Sequence, residues 1–134
     1  MPDQPQVLIV EDDPDLREAL AIALKDEGFS LERAGNGLEA IELLRKGLRP
    51  RLILLDLTMP IVSGWEFRLF QQRDPELAGI PVVLITAGIY KKEDLEWIRP
   101  VEVLSKPVEL ARLVKLLRER CGPASGSEPA SSLD

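Results

Sequence analysis

Short, unbroken apolar runs recur along the chain at residues 7–10 (VLIV), 51–56 (RLILLD), 81–86 (PVVLIT) and 101–105 (VEVLS). They do not alternate with polar positions, so each predicts a strand buried on both faces, as in a parallel sheet. A weaker run at 29–34 (FSLERA) predicts an edge strand. Between the runs the pattern takes on helical spacing. Leu16, Leu20, Ala23 and Leu24 share one face of a first helix, whose start is marked by Asp13-Pro14. Leu38, Ile41 and Leu44 line a second, opened by Asn36 and closed by Gly47. Phe67 and Phe70 mark a third after Ser63, its expected cap. A fourth, around 90–99, is short and poorly patterned, and a fifth starts at Pro107 and carries Leu110, Val114 and Leu117. Strand followed by helix, repeated along the chain, predicts an α/β fold: a five-stranded parallel sheet with helices on both faces. From Gly122 on, GPASGSEPASSLD has no periodicity and reads as a disordered tail, or as the start of an interdomain linker. The expected division is a folded domain over 1–121 and a tail over 122–134.

Composition narrows the function classes. A chain of 134 residues makes one domain with a core, not two. The net charge of -6, with no run of Lys or Arg, argues against direct nucleic-acid binding. One cysteine, Cys121, excludes an internal disulfide framework and suits a reducing compartment. No apolar run approaches the roughly 20 residues that span a bilayer, and MPDQPQ has no export pattern. A cytoplasmic protein is expected. The chain has no histidine, which excludes His-ligated metals, Ser-His triads and phosphohistidine relays within it.

Ligands of open α/β sheets bind at the carboxyl ends of the strands, and the residues there are distinctive. Glu11, Asp12 and Asp13 follow the first run, Asp56 and Thr86 end two others, and Ser105, Lys106 and Pro107 follow the last. Clustered carboxylates without a partner would force one to protonate. A hard cation such as Mg²⁺ relieves that repulsion through oxygen ligands. Lys106 adds a positive charge suited to holding a phosphoryl oxygen, and Thr86 can donate a hydrogen bond to another. A carboxylate so flanked is a candidate phosphoryl acceptor, since carboxylates serve as phosphoryl nucleophiles. Asp13, directly before Pro14, is better used as a helix N-cap. Trp65 and Trp97 read as packing residues.

The segments VEDD, LLDLTMPIVSGWE, VVLITA and LSKPVEL, in this order and spacing, resemble the receiver domain of bacterial two-component response regulators over residues 6 to about 120. The resemblance implies the flavodoxin-like (βα)5 receiver fold and phosphorylation of Asp56 by a histidine kinase or phosphotransfer protein. Glu11 and Asp12 would match the acidic pair holding Mg²⁺, with Asp12 the direct ligand and the Thr58 carbonyl a further one. Thr86 and Lys106 would contact the phosphoryl group, Pro107 would follow a cis peptide bond, and Pro60 and Gly64 match the loop after the acceptor. An unidentified protein would receive the signal.

One departure stands out. Val103 occupies the position where the family usually has Tyr or Phe, sometimes His, whose ring turns inward on phosphorylation. Valine has no hydroxyl and little reach. GIYKKEDLEWIRP, before it, is also atypical. The leading expectation is a stand-alone receiver, a phosphorylation-controlled switch or phosphate sink. The alternatives are a receiver cut from a larger regulator and a small aspartate-nucleophile phosphohydrolase. That last class normally has a second Asp two residues after the nucleophile as acid/base, where this chain has Thr58. No Gly-rich phosphate loop follows the first strand, which removes a nucleotide-binding reading.

Overall fold

The computed structural model describes residues 4–57, 62–88 and 90–121. Thr58, Pro60 and the tail expected from Gly122 lie outside them. Strands β1 (Val7–Val10), β2 (Leu31–Ala34), β3 (Leu52–Asp56), β4 (Val82–Thr86) and β5 (Glu102–Ser105) alternate with helices α1 (Pro14–Asp26), α2 (Gly37–Arg45), α3 (Gly64–Arg73), α4 (Lys92–Ile98) and α5 (Leu110–Cys121). All strand pairs are parallel, in the order β2-β1-β3-β4-β5. This is the (βα)5 flavodoxin-like architecture.

Strand side chains alternate between faces, which divides the core in two. Val7 and Ile9, Leu52 and Leu54, and Val83 and Ile85 pack with α1 and α5 on one face. Leu8 and Val10, Ile53 and Leu55, and Val82 and Leu84 pack with α2, α3 and α4 on the other. The three central strands are buried throughout, which explains their unbroken apolar runs. β2 is an edge strand, as its weaker run implies. β5 is the other edge, and of its four residues Leu104 alone is buried. That corrects the expectation of burial on both of its faces.

The helix starts follow their caps. Asp13 accepts from the amides of Asp15 and Leu16, Asn36 from that of Glu39, and Ser63 and Glu66 form a reciprocal capping box. Gly47, at φ 110°, takes the left-handed conformation that closes α2. Two helical expectations need correction. α5 begins at Leu110, after the cis Lys106–Pro107 peptide, and its buried stripe is Leu113, Val114, Leu117 and Cys121, with Leu110 exposed. In α2, Ala40 joins Ile41 and Leu44 in the core, and Leu38 faces solvent.

Candidate functional site

Parallel register brings the functional side chains to one edge. Val10 pairs with Leu55, so Glu11 leaves β1 level with Asp56 at the end of β3. Asp56 pairs with Ile85, which sets Thr86 one residue further along β4. Thr86 in turn pairs with Ser105, and the Lys106 amide donates to the Thr86 carbonyl at 2.8 Å. The chain therefore delivers two buried acids, a buried hydroxyl and an amine to the carboxyl end of the sheet.

Glu11, Asp12 and Asp56 each offer a carboxylate oxygen, and these lie within 4.8 Å of one another. Lys106 Nζ stands 3.2 Å from Glu11 Oε1 and 3.4 Å from Asp56 Oδ2. Three clustered carboxylates, two of them in contact with one ammonium, leave an excess of negative charge that a divalent cation would balance. A second observation agrees. Glu11 is fully buried, yet its Oε1 accepts no hydrogen bond; Lys106, 3.2 Å away, donates to the other oxygen, Oε2, at 3.5 Å. A buried carboxylate oxygen that accepts no hydrogen bond is suited to a further cation or a water as partner. The donors are all oxygen, the set that suits a hard cation.

Lys106 feels opposing influences. Burial pushes its amine down, but attraction to Asp56 and Glu11 and hydrogen bonds to both outweigh this, so its pKa is raised. The stability gained from this charge is present below the ordinary lysine value and is lost as pH climbs through the raised one. At neutral pH the amine is a fixed cation.

The backbone around the site is tightly held. Glu11 Oε2 accepts from the Asp13 amide at 3.0 Å, and Arg17 Nη1 donates to the Glu11 carbonyl at 3.0 Å. Thr86 Oγ1 accepts from the Gly88 amide at 3.2 Å, which leaves its hydroxyl proton to donate elsewhere. The Gly64 amide donates to the Leu57 carbonyl at 3.0 Å, and a Cβ at Gly64 would lie 2.5 Å from the Asp56 carbonyl oxygen. Glycine is required there by close approach.

A family model for the response regulator receiver domain matches residues 7–118. The chain belongs to the response-regulator receiver family. The receiver is 36% identical over 121 residues to the polar-differentiation response regulator DivK of Brucella anthropi, covering 88% of this chain and 97% of that protein. It is 34% identical over 133 residues to the DNA-binding response regulator MtrA of Mycolicibacterium smegmatis, covering 96% of this chain and 55% of MtrA. Among solved structures, the chemotaxis protein CheY4 of Vibrio cholerae superposes with a TM-score of 0.79 at 27% identity, over 88% of this chain and 99% of CheY4. At its carboxyl edge the receiver thus carries an acidic cluster of the kind that serves as phosphoacceptor and divalent-metal site in response regulators.

The receiver also contains polar residues that the sequence reading passed over. Arg17 supports Glu11 from one turn into α1; helical side chains lean toward the N-terminus, so its reach to the β1–α1 loop was readable. Arg68 and Gln71 are buried in α3. Val103 is half-buried against the face that carries α2, α3 and α4. Trp65 and Trp97 pack on each other with ring centroids 6.1 Å apart, although Trp97 remains 41% exposed. Among the described residues, no helix is long and apolar enough to cross a membrane.

Proposed function

We propose that the receiver takes a phosphoryl group onto Asp56 from the phosphohistidine of a histidine kinase or phosphotransfer protein, and that this switches its binding to a downstream protein. The observation that carries the proposal is a buried Asp56 carboxylate held 3.4 Å from Lys106 Nζ within the Glu11–Asp12–Asp56 cluster. An Asp56 oxygen attacks phosphorus, the phosphorus–nitrogen bond breaks, and its electron pair leaves with the imidazole. Lys106 steadies one phosphoryl oxygen and the Thr86 hydroxyl donates to another. Asp12, Asp56 and the Thr58 carbonyl would hold Mg²⁺, with Glu11 supporting it from its buried position. Bound there, Mg²⁺ supplies charge that offsets the negative charge of the incoming phosphoryl group. A structural relative at 28% identity, the signal receiver domain of a signal transduction histidine kinase from Syntrophus aciditrophicus, supports a kinase-type donor. DNA binding belongs to MtrA, of which this chain spans about half (55%). The output proposed here is protein contact, in the cytoplasm.

Thr58 argues against the phosphohydrolase reading, because threonine cannot act as the acid/base that class places two residues after its nucleophile. Incubation with a small-molecule acyl phosphate and Mg²⁺ should add one phosphoryl group per chain, read as intact mass, and Asp56→Asn should add none. Sustained turnover of a generic phosphate ester would instead make the protein an enzyme.

A further inference from the structure

Helix α3 meets the acceptor strand at its first residue and contacts α4 along its length, from Trp65 to Gln72. Its first residue, Gly64, sits so close to the Asp56 carbonyl that no Cβ fits between them. Further along, Gln72 Nε2 donates to the Trp97 carbonyl at 3.0 Å, and Arg68 donates to the Ile98 carbonyl at 2.6 Å and the Arg99 carbonyl at 3.4 Å. These acceptors belong to the last turn of α4 and its C-cap, Arg99, where intrahelical donors run out. Arg99 closes that turn in the left-handed conformation, at φ 54°, which a non-glycine residue adopts only with support. The Trp65–Trp97 contact bridges the same two helices.

Arg68 is an unusual residue for such a position. It is 6% exposed, and its hydrogen bonds go to neutral groups: the two carbonyls and Gln71 Oε1 at 2.8 Å. Gln71 is anchored in turn to the carbonyls of Leu77 and Ile80. Burial, and secondarily the nearby Arg99 charge, act against the Arg68 cation. A buried guanidinium without a carboxylate is a poor stabiliser compared with an apolar side chain of similar volume. What it does supply is directed donors, and cations suit the negative end of a helix.

We infer that α3 relays the state of Asp56 to the C-terminal turn of α4, through the donors of Arg68 and Gln72 and the Trp65–Trp97 contact. The inference rests on the phosphoacceptor reading of Asp56. It gives the receiver a route that does not pass through Val103. Backbone displacement at Asp56 and Leu57 meets α3 without slack at Gly64. The helix moves as a rigid element, and the carbonyls it holds on α4 move with it. Coupling of this kind needs a contiguous chain of packed and hydrogen-bonded groups, and these contacts supply one.

Amide chemical shifts, followed as Mg²⁺ and beryllofluoride (a phosphoryl mimic) are added, test the relay. In the parent protein, changes are expected at Glu11, Asp12, Asp56 and Thr86, and also at Leu95–Arg99 and both indole N–H groups. In Arg68→Met the changes at the acidic site should persist, while those at Leu95–Arg99 fall to roughly half or less. Gln72→Ala removes one donor from a less buried position and should reduce the same signals, which keeps the test decisive if Arg68→Met folds poorly. Undiminished shifts at Leu95–Arg99 in both variants would overturn the relay. So would a parent protein whose site responds while α4 stays silent, or one whose response runs to α5 instead. If the parent's acidic site itself fails to respond, the phosphoacceptor reading falls, and the relay with it.

Discussion

Asp12→Ala is expected to bind Mg²⁺ on the order of tenfold more weakly or worse, and yet to be no less stable than the parent when metal is absent. Both effects have one cause. The metal-free site crowds Glu11, Asp12 and Asp56 together while Lys106 contacts only Glu11 and Asp56, so removing the Asp12 carboxylate relieves repulsion. The same removal deletes an oxygen donor from the cation. Lys106 stays charged throughout the neutral range, because its pKa is raised, and does not confuse the comparison. Asp13→Ala is the informative contrast. Its carboxylate accepts from the Asp15 and Leu16 amides at the head of α1, so its loss should cost about 1 kcal/mol and leave metal affinity nearly unchanged. Calorimetric Mg²⁺ titration and urea unfolding in chelator would measure the pair. Metal affinity governed by Asp13 rather than Asp12 would reverse the division of labour within the triplet.

Gly64→Ala should damage both fold and function. The added methyl carbon would sit 2.5 Å from the Asp56 carbonyl oxygen and 2.8 Å from Leu57 Cα, both backbone atoms with no rotamer to escape into. Either the head of α3 or the end of β3 must give way. Overpacking of this kind costs about 1–3 kcal/mol. Because the backbone that yields carries Asp56, phosphoryl uptake should slow as well. A melting temperature and an uptake rate both matching the parent would show that α3 is not pressed against the acceptor strand.

The site was legible because strand ends in a parallel sheet converge. Four apolar runs, each followed by Asp, Glu, Thr or Lys, already implied that Glu11, Asp12, Asp56, Thr86 and Lys106 share an edge, and register delivers them there. The caps Asp13, Asn36 and Ser63 were legible because each side chain answers to amides two or three residues away. Weak patterning and edge position account for what was misread. β5 has one covered flank, so its apolar run overstated its burial. Leu38 and Leu110 lie in first turns, where the inward stripe is set by how the helix docks and not by the first leucine. Arg68 and Gln71 are a different kind of miss. Gly64, Phe67, Arg68 and Gln71 fall at i, i+3, i+4 and i+7, the spacing of a buried stripe, and all four are buried. An arginine and a glutamine inside that stripe signalled a buried polar link, and their α4 partners became visible only in three dimensions.

The acceptor itself can be located chemically. Treating the acyl-phosphate-loaded protein with borohydride reduces an aspartyl phosphate to homoserine, and sequencing peptides by mass spectrometry shows where the change lies. Conversion at Asp56, with Glu11, Asp12 and Asp13 unmodified and no conversion when Mg²⁺ is chelated, is the expected result. Conversion at any member of the triplet in place of Asp56, or equal conversion without metal, would contradict the assignment of Asp56 as a metal-assisted phosphoryl acceptor.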